Sequence, residues 1–267
     1  MTFQFAPTAS VPVHATRTKI SDEIISNLRR KIASGELARG TQLPNEKELA
    51  RQYGVSQPTM REAIRALEAM GLLDVYHGRG VFVSQDLNTF VSESLHTFVE
   101  FEKIGLAEAL DVRGVLGRHS ARLAARNAGQ AEVDTLELAV KECDEAGALP
   151  NVLEMARTVV NFQSSISAAA QNPLLFGVET FLIRLILQLQ VDAKEKYGIG
   201  YWTEQLSMFR ADRHAIIRFI EARDADNAEQ AMAKYLVDQK ELFERDPDMS
   251  VIRFSRPEGS KPNLLTP

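Results

Sequence analysis

The stretch "GVSQPTMREAIRALEAMGLL", Gly54 to Leu73, decides the reading of this chain. It opens on a glycine, offers Ser56 as an N-cap, and then sets Met60, Ile64, Leu67 and Met70 along one side at helical spacing before Gly71 stops it. The front of the same helix is polar and carries Gln57, Thr59, Arg61 and Arg65, with the two arginines four apart and therefore on one side. A short helix with an apolar back and a polar front needs a second element to pack on. Working outward supplies it. "LPNEKELARQYG" predicts a preceding helix, with Asn45 as its N-cap, Glu48 completing a capping box and Gly54 closing it. Further upstream, "ISDEIISNLRRKIASG" puts Ile20, Ile24, Ile25, Leu28 and Ile32 on one face, ended by Gly35. Downstream, "LLDVY" and "VFV" read as two short strands joined by "HGRG", His77 to Gly80, a glycine-permitted turn with a basic tip.

Helix, tight turn, helix and hairpin form a DNA-reading arrangement when the second helix of the turn keeps a polar N-terminal face. Gln and Arg can make paired hydrogen bonds to base edges in the major groove, and a helix N-terminus offers free N–H groups to a phosphate. Gly78 and Gly80 let the hairpin backbone come close to DNA, and His77 and Arg79 can reach the minor groove or the phosphates. A lone helix of this kind is more often a capped surface helix with a solvated charged face. The ordered set of elements within one short module favours DNA.

The 267 residues suffice for about two domains. Residues 1–85 carry 11 Lys/Arg and 8 Asp/Glu, a net of +3, whereas residues 86–267 carry 20 and 28, a net of −8. A basic head on an acidic body implies separate tasks for the two parts. Cys143 is the one cysteine, so no intrachain disulfide forms, which fits a reducing cytoplasm. The N-terminal residues lack the apolar core of a signal peptide, and the most apolar run, "FLIRLILQLQV", is interrupted by Arg184 and reads as a buried helix with no membrane role. The expected layout is a flexible arm (1–17), a winged helix-turn-helix (18–84), a linker (85–90), an all-helical domain (91–246) and a flexible tail (247–267). The fold class is mainly α, with a small β-hairpin wing in the first domain and an antiparallel helical bundle in the second.

The first module resembles the N-terminal winged-helix domain of the GntR family of bacterial transcription regulators. "SGEL", "LPNEKELA", "GVS", "TMREAI" and "GRGVFV" occur in order across the whole module. The resemblance implies DNA contacts from Lys47, Ser56, Gln57, Thr59, Arg61, His77 and Gly78. The chain departs from the family's pattern in having Gln57 and Lys47 where arginine is usual, and Pro58 at a commonly polar position. Proline early in a helix is tolerated. Lysine offers a point charge in place of a planar fork, so the bases read here differ from the usual ones.

The segment from about Leu106 to Phe243 resembles, more loosely, the helical FCD ligand-binding domain of the FadR subfamily, through "LDVRGVLGRHSARLAAR", "NFQSSISAAAQNPLL" and "RHAIIRFIEARDADNAEQAMAKYL". Many such domains dimerise and hold a metal with one aspartate and three histidines. The corresponding positions here are Val159, Gln163, Arg213 and Tyr235, a set with no good ligand, so no metal or other cofactor is expected. His214 lies one residue beyond, about 100° away on a helix. Leu106, Leu110, Arg113, Leu116 and Leu123 share one apolar face, and Arg213 sits inside the stripe of Leu206, Phe209, Ile216, Ile217 and Ile220. Gly117 replaces a glutamate frequent in the family, which removes one partner for Arg113 and leaves room. Buried arginines are costly unless paired. Arg113 and Arg213 are therefore expected to meet an anionic ligand, a sugar acid, organic acid or phosphorylated metabolite, with hydrogen bonds from Gln163 and Tyr235. The competing account pairs both arginines with internal carboxylates on a neighbouring helix or lets them snorkel outward.

The histidines are scattered, and no phosphate loop, nucleophile elbow or zinc-protease motif occurs, so an enzyme is not expected. The reading is a cytoplasmic homodimeric regulator, by family habit a repressor, that binds a palindromic double-stranded operator and responds to an effector through the linker near Asp86. The alternative is a DNA-binding regulator whose second domain only dimerises.

Overall fold

The computed structural model describes residues 14–76, 78–84, 88–194, 197–250 and 252–253. The chain divides between Phe90 and Val91 into two compact units. The first contains α1 (His14–Ala33), α2 (Glu46–Tyr53), α3 (Gln57–Ala69), β1 (Leu73–Tyr76) and β2 (Gly80–Val83). Met60, Ile64 and Leu67 on the back of α3 are fully buried against Ile24 and Leu28 of α1, Leu49 of α2, and Val81 and Val83 of the hairpin. Ile20 does not join them and is 40% exposed, while Ser21 is buried. At about 100° per residue the buried stripe centres on Leu28, and Ile20 falls at its margin.

The turn between α2 and α3 is set locally. The Asn45 side chain accepts the Glu48 backbone N–H at 2.9 Å. Gly54 ends α2 in the left-handed region, φ 66°, which glycine adopts without steric cost. The Ser56 hydroxyl then accepts the Thr59 N–H to start α3. The expected capping box is half formed. The Glu48 carboxylate turns to Arg51 and Gln52 on its own helix, at 2.6 and 3.2 Å, and no hydrogen bond back to Asn45 is seen.

β1 and β2 pair antiparallel from Leu73 opposite Val83 to Tyr76 opposite Gly80. Gly80, expected in the turn, is thus the first residue of β2. The chain before α2 adds an edge to this ribbon, Leu43 N–H donating to Val81 O and Val83 N–H to Thr41 O. Gly80 has φ 112°, and a Cβ there would stand 2.9 Å from Gln42 Nε2. Gly80→Ala is expected to cost about 1–3 kcal/mol, read as a lower denaturation midpoint with an unchanged slope.

The second unit holds α4 from Val91 onward (the helix spans Asn88–Phe101), α5 (Leu106–Asn127), α6 (Gln130–Glu145), α7 (Val152–Ala169), α8 (Pro173–Lys194), α9 (Gly198–Met208), α10 (Arg210–Glu221), α11 (Ala225–Glu244) and α12 (Pro247–Ser250). α5 runs through the middle and touches α7, α8, α10, α11 and α12. Its alanines 121, 124 and 125 are fully buried, so neighbouring helices approach closely. α8 is long and apolar enough to cross a membrane, but Phe181, Leu182, Ile183, Leu185, Ile186 and Leu187 are buried within the bundle.

Three expected boundaries move. α1 is described from His14, so residues 14–17 of the expected arm are helical. α4 is described from Asn88, so residues 88–90 of the expected linker are helical, while residues 85–87, with Asp86, lie outside the described residues. The expected tail contributes α12, whose Met249 is buried beside Phe181 and Phe243, and Arg253, which pairs with Glu108 at 2.8 Å. Met249 and Ile252 are the apolar anchors of that segment.

Candidate nucleic-acid interface and effector cavity

On the first unit, Lys47, Ser56, Gln57, Arg61 and Arg65 are exposed, as are Gly78 and Arg79 at the hairpin tip. His77 lies outside the described residues. Thr59 departs from the expected polar front. It is 5% exposed, and its hydroxyl is 2.8 Å from that of Ser56, so it serves the helix cap. On a helix a residue two positions after Gln57 lies about 200° round the axis, which turns Thr59 inward. Arg61 is held by Glu46 across the turn, Nε to Oε2 2.9 Å. Arg79 lies over the Tyr76 ring at 5.5 Å, and the Gln42 amide donates to the Arg79 carbonyl at 2.9 Å, bracing the tip. The surface can present donors to a groove: a helix N-terminus, an amide, guanidinium groups and a glycine-tipped ribbon. Glu46 and Gln42 were not legible as contributors, since each acts across a turn whose geometry the sequence leaves open.

On the second unit, Arg113, Gln163, Arg213 and Tyr235 all line one cavity of about 50 Å³. Each comes from a different helix: α5, α7, α10 and α11. Both arginines are 2% exposed. Gln163 donates its amide to the Tyr235 hydroxyl at 3.0 Å. Burial raises the Tyr235 phenol above its usual value, so it stays neutral and can donate in turn.

The arginines have different surroundings. Arg213 Nη2 donates to Asp144 Oδ1 at 3.1 Å and to Leu206 O at 2.9 Å. Asp144, on α6, also receives Arg210 Nε at 3.1 Å and lies 2.6 Å from His214 Nε2. Burial pushes the Asp144 carboxyl upward, but the contacts with His214 and Arg213 outweigh it and hold the group below the ordinary value. Arg213 therefore has an internal countercharge, as the competing account anticipated. Arg113 faces Glu179 on α8 at 3.9 Å, beyond hydrogen-bond reach. Glu179 Oε2 instead accepts the hydroxyls of Ser120 and Ser167. Arg113 Nε and Nη2 have no protein acceptor. Burial lowers its guanidinium below the usual value, and Glu179 offsets part of that.

The room expected beside Gly117 is filled. A Cβ there would meet Leu236 at 2.7 Å and Glu179 at 3.2 Å, so these two side chains take the space. Glu179 had a legible signal, a lone carboxylate inside the apolar run "FGVETFLIRLIL", whereas nothing in "KECDEAG" singled out Asp144 from its acidic neighbours. Trp202, the one tryptophan, is a further cavity residue that the sequence reading missed. The positions aligned with metal ligands do converge on this cavity, but their chemistry does not suit an ion. Val159 has no donor atom, and Arg213 is a permanent cation. Cys143 is buried, with its thiol pushed up to about 11, and is a poor nucleophile.

Comparison with known proteins agrees with this division. Residues 20–83 match the family described as bacterial regulatory proteins, gntR family, and residues 108–238 match the FCD domain. The chain is 28% identical over 225 residues to the HTH-type transcriptional repressor NanR of Citrobacter rodentium, covering 82% of this chain and 84% of that protein. It is 26% identical over 212 residues to the HTH-type transcriptional regulator LutR of Bacillus subtilis, covering 79% and 95%. Among solved structures, Streptococcus agalactiae GntR has the same fold, with a TM-score of 0.65 at 20% identity over 83% of this chain and 99% of that one.

Proposed function

We propose that the chain is a regulator of the GntR family with an FCD domain as its second unit, a cytoplasmic, homodimeric repressor whose grip on a palindromic operator is set by a small anionic effector. The relatives that it resembles are transcription regulators, and the first unit has the exposed donors of a DNA-reading surface. In this reading Lys47, Ser56, Gln57, Arg61, Arg65, Gly78 and Arg79 face DNA, with His77 beside them in the chain. Thr59 holds the helix cap that positions Ser56 and Gln57. Two copies related by a two-fold axis would read two half-sites.

The observation that carries the effector half is the convergence of two buried arginines, Gln163 and Tyr235 on one cavity. A chain selected only to dimerise gains nothing from two desolvated guanidinium groups at a void, because apolar residues of similar volume are as stabilising or more so. An effector can shift DNA affinity only if it binds the two arrangements of the protein unequally. Gel shifts of a promoter fragment beside the coding region, with and without a panel of small acids, test the reading. A retarded band that one acid releases is expected. Retention of the band under every acid, at matched salt, leaves dimerisation as the role of the second unit.

A further inference from the structure

The cavity has amide and phenol oxygens from Gln163, Gln190, Gln205, Gln239, Tyr201 and Tyr235, but its unpartnered polar atoms are donors. Four buried atoms on its wall have no protein partner: Arg113 Nε, Arg113 Nη2, Arg213 Nε and Trp202 Nε1. All four are N–H donors. Among the described residues, the side chains that line it include no carboxylate; Glu179 and Asp144 are paired with its arginines without lining it. The two open nitrogens of Arg113 lie on the same edge of its guanidinium, the edge that takes both oxygens of one carboxylate in parallel hydrogen bonds. Arg213 offers only one open nitrogen, because Asp144 and the Leu206 carbonyl share Nη2. The indole of Trp202 is 5% exposed and adds a third, separate donor from α9. Ile186, Leu187, Phe209 and Phe243 supply apolar wall.

Size restricts the ligand further. An apolar cavity of about 150 Å³ holds benzene, whereas this one measures about 50 Å³.

Resting on the reading of this unit as an effector domain, we infer that the cavity takes a short monocarboxylate without a metal ion, its two oxygens on the Nε/Nη2 edge of Arg113 and one of them also on Trp202 Nε1, with its short carbon body against the apolar wall. Arg113 is the anchor. Arg213, neutralised by Asp144, is a positioning residue that joins α10 to α6. A sugar acid or a sugar phosphate exceeds the space, and a phosphate lacks a body for the apolar side.

Trp202 is the only tryptophan in the chain, so its fluorescence reports directly on the cavity. The full-length protein, treated with a chelator, is titrated with acetate, propanoate and butanoate, and in parallel with gluconate and inorganic phosphate. The expected result is a saturable change in Trp202 emission with at least one of the three monocarboxylates, unaltered by the chelator. Arg113→Lys keeps the charge but not the fork, and is expected to weaken binding about tenfold to a hundredfold. Trp202→Phe removes one N–H and the reporter. Its binding is followed by thermal shift, where a ligand selective for the folded form raises the midpoint, and a loss of about fivefold to tenfold is expected. Should Arg113→Lys fail to fold, Trp202→Phe carries the test alone. Binding of gluconate or phosphate with none of the monocarboxylates, binding that the chelator abolishes, or undiminished affinity in Trp202→Phe overturns the inference and leaves an effector domain in place. No response to any of these acids also overturns it; the effector reading itself then stands or falls by the gel-shift release experiment, whose panel is wider.

Discussion

Arg61→Ala is expected to weaken operator binding by about 1–3 kcal/mol per half-site, a loss paid twice in a two-fold complex. The residue sits one turn into α3, exposed, on the side of Gln57 and opposite the buried row of Met60, Ile64 and Leu67. Its present partner is Glu46, at 2.9 Å, on a surface where both side chains are partly solvated. Such a pair is worth about 0.2–1 kcal/mol, so DNA can outcompete it. Glu46→Gln supplies the opposite control. Removing the competing carboxylate is expected to raise affinity by up to about fivefold. Both effects are read in gel shifts at several salt concentrations. If Arg61 meets a phosphate, the alanine variant reduces the salt slope by about one; if it meets a base, the slope holds and discrimination between sequences falls. Dimerisation and effector affinity are expected to be unchanged in both variants.

Asp144→Ala produces the largest expected loss of stability. It leaves Arg213 buried with no countercharge, and breaking a buried pair from one side costs about 3–5 kcal/mol. For a domain of this size, that lowers the melting midpoint by about 6–20 °C. Adding Arg213→Met is expected to recover most of the loss, because an apolar side chain needs no partner. The pair also sets a pH dependence. The Asp144 carboxyl is held below its ordinary value of 3.8 in the folded chain. Its contribution is therefore complete above that value and is lost as pH falls through the depressed folded value. Wild type and Asp144→Asn are expected to differ fully at neutral pH and to converge in acid. A constant gap across that range would mean that the carboxylate is not the charge on which Arg213 depends.

The first unit was legible because its information is local. Asn45, Gly54, Ser56 and Gly71 each act on the backbone within a few residues, so caps and turn could be placed from spacing alone. Errors arose where a side chain had to choose between local and distant partners. Glu48 took Arg51 and Gln52 in place of the cap, and Thr59 turned into the cap instead of outward. In the second unit, helical periodicity placed Arg113 and Arg213 inside apolar stripes, and both are buried. Periodicity has no access to which helix stands opposite. It therefore missed Glu179, which arrives 66 positions after Arg113 and with Leu236 fills the space beside Gly117, and Asp144, which precedes Arg213 by 69. The consequence is a reversal of roles. Arg213, expected to meet the anionic ligand alongside Arg113, has its own countercharge, and Arg113 keeps the open edge.

The central claim is that α3 and the hairpin tip read duplex DNA, and footprinting of the purified protein on the intergenic DNA flanking its coding region tests it most directly. Two protected half-sites related by approximate two-fold symmetry are predicted, their centres about one helical turn or a small multiple of it apart, with protection lost in Arg61→Ala. Uniform, sequence-independent protection that disappears at moderate salt, identical for wild type and Arg61→Ala, would contradict it.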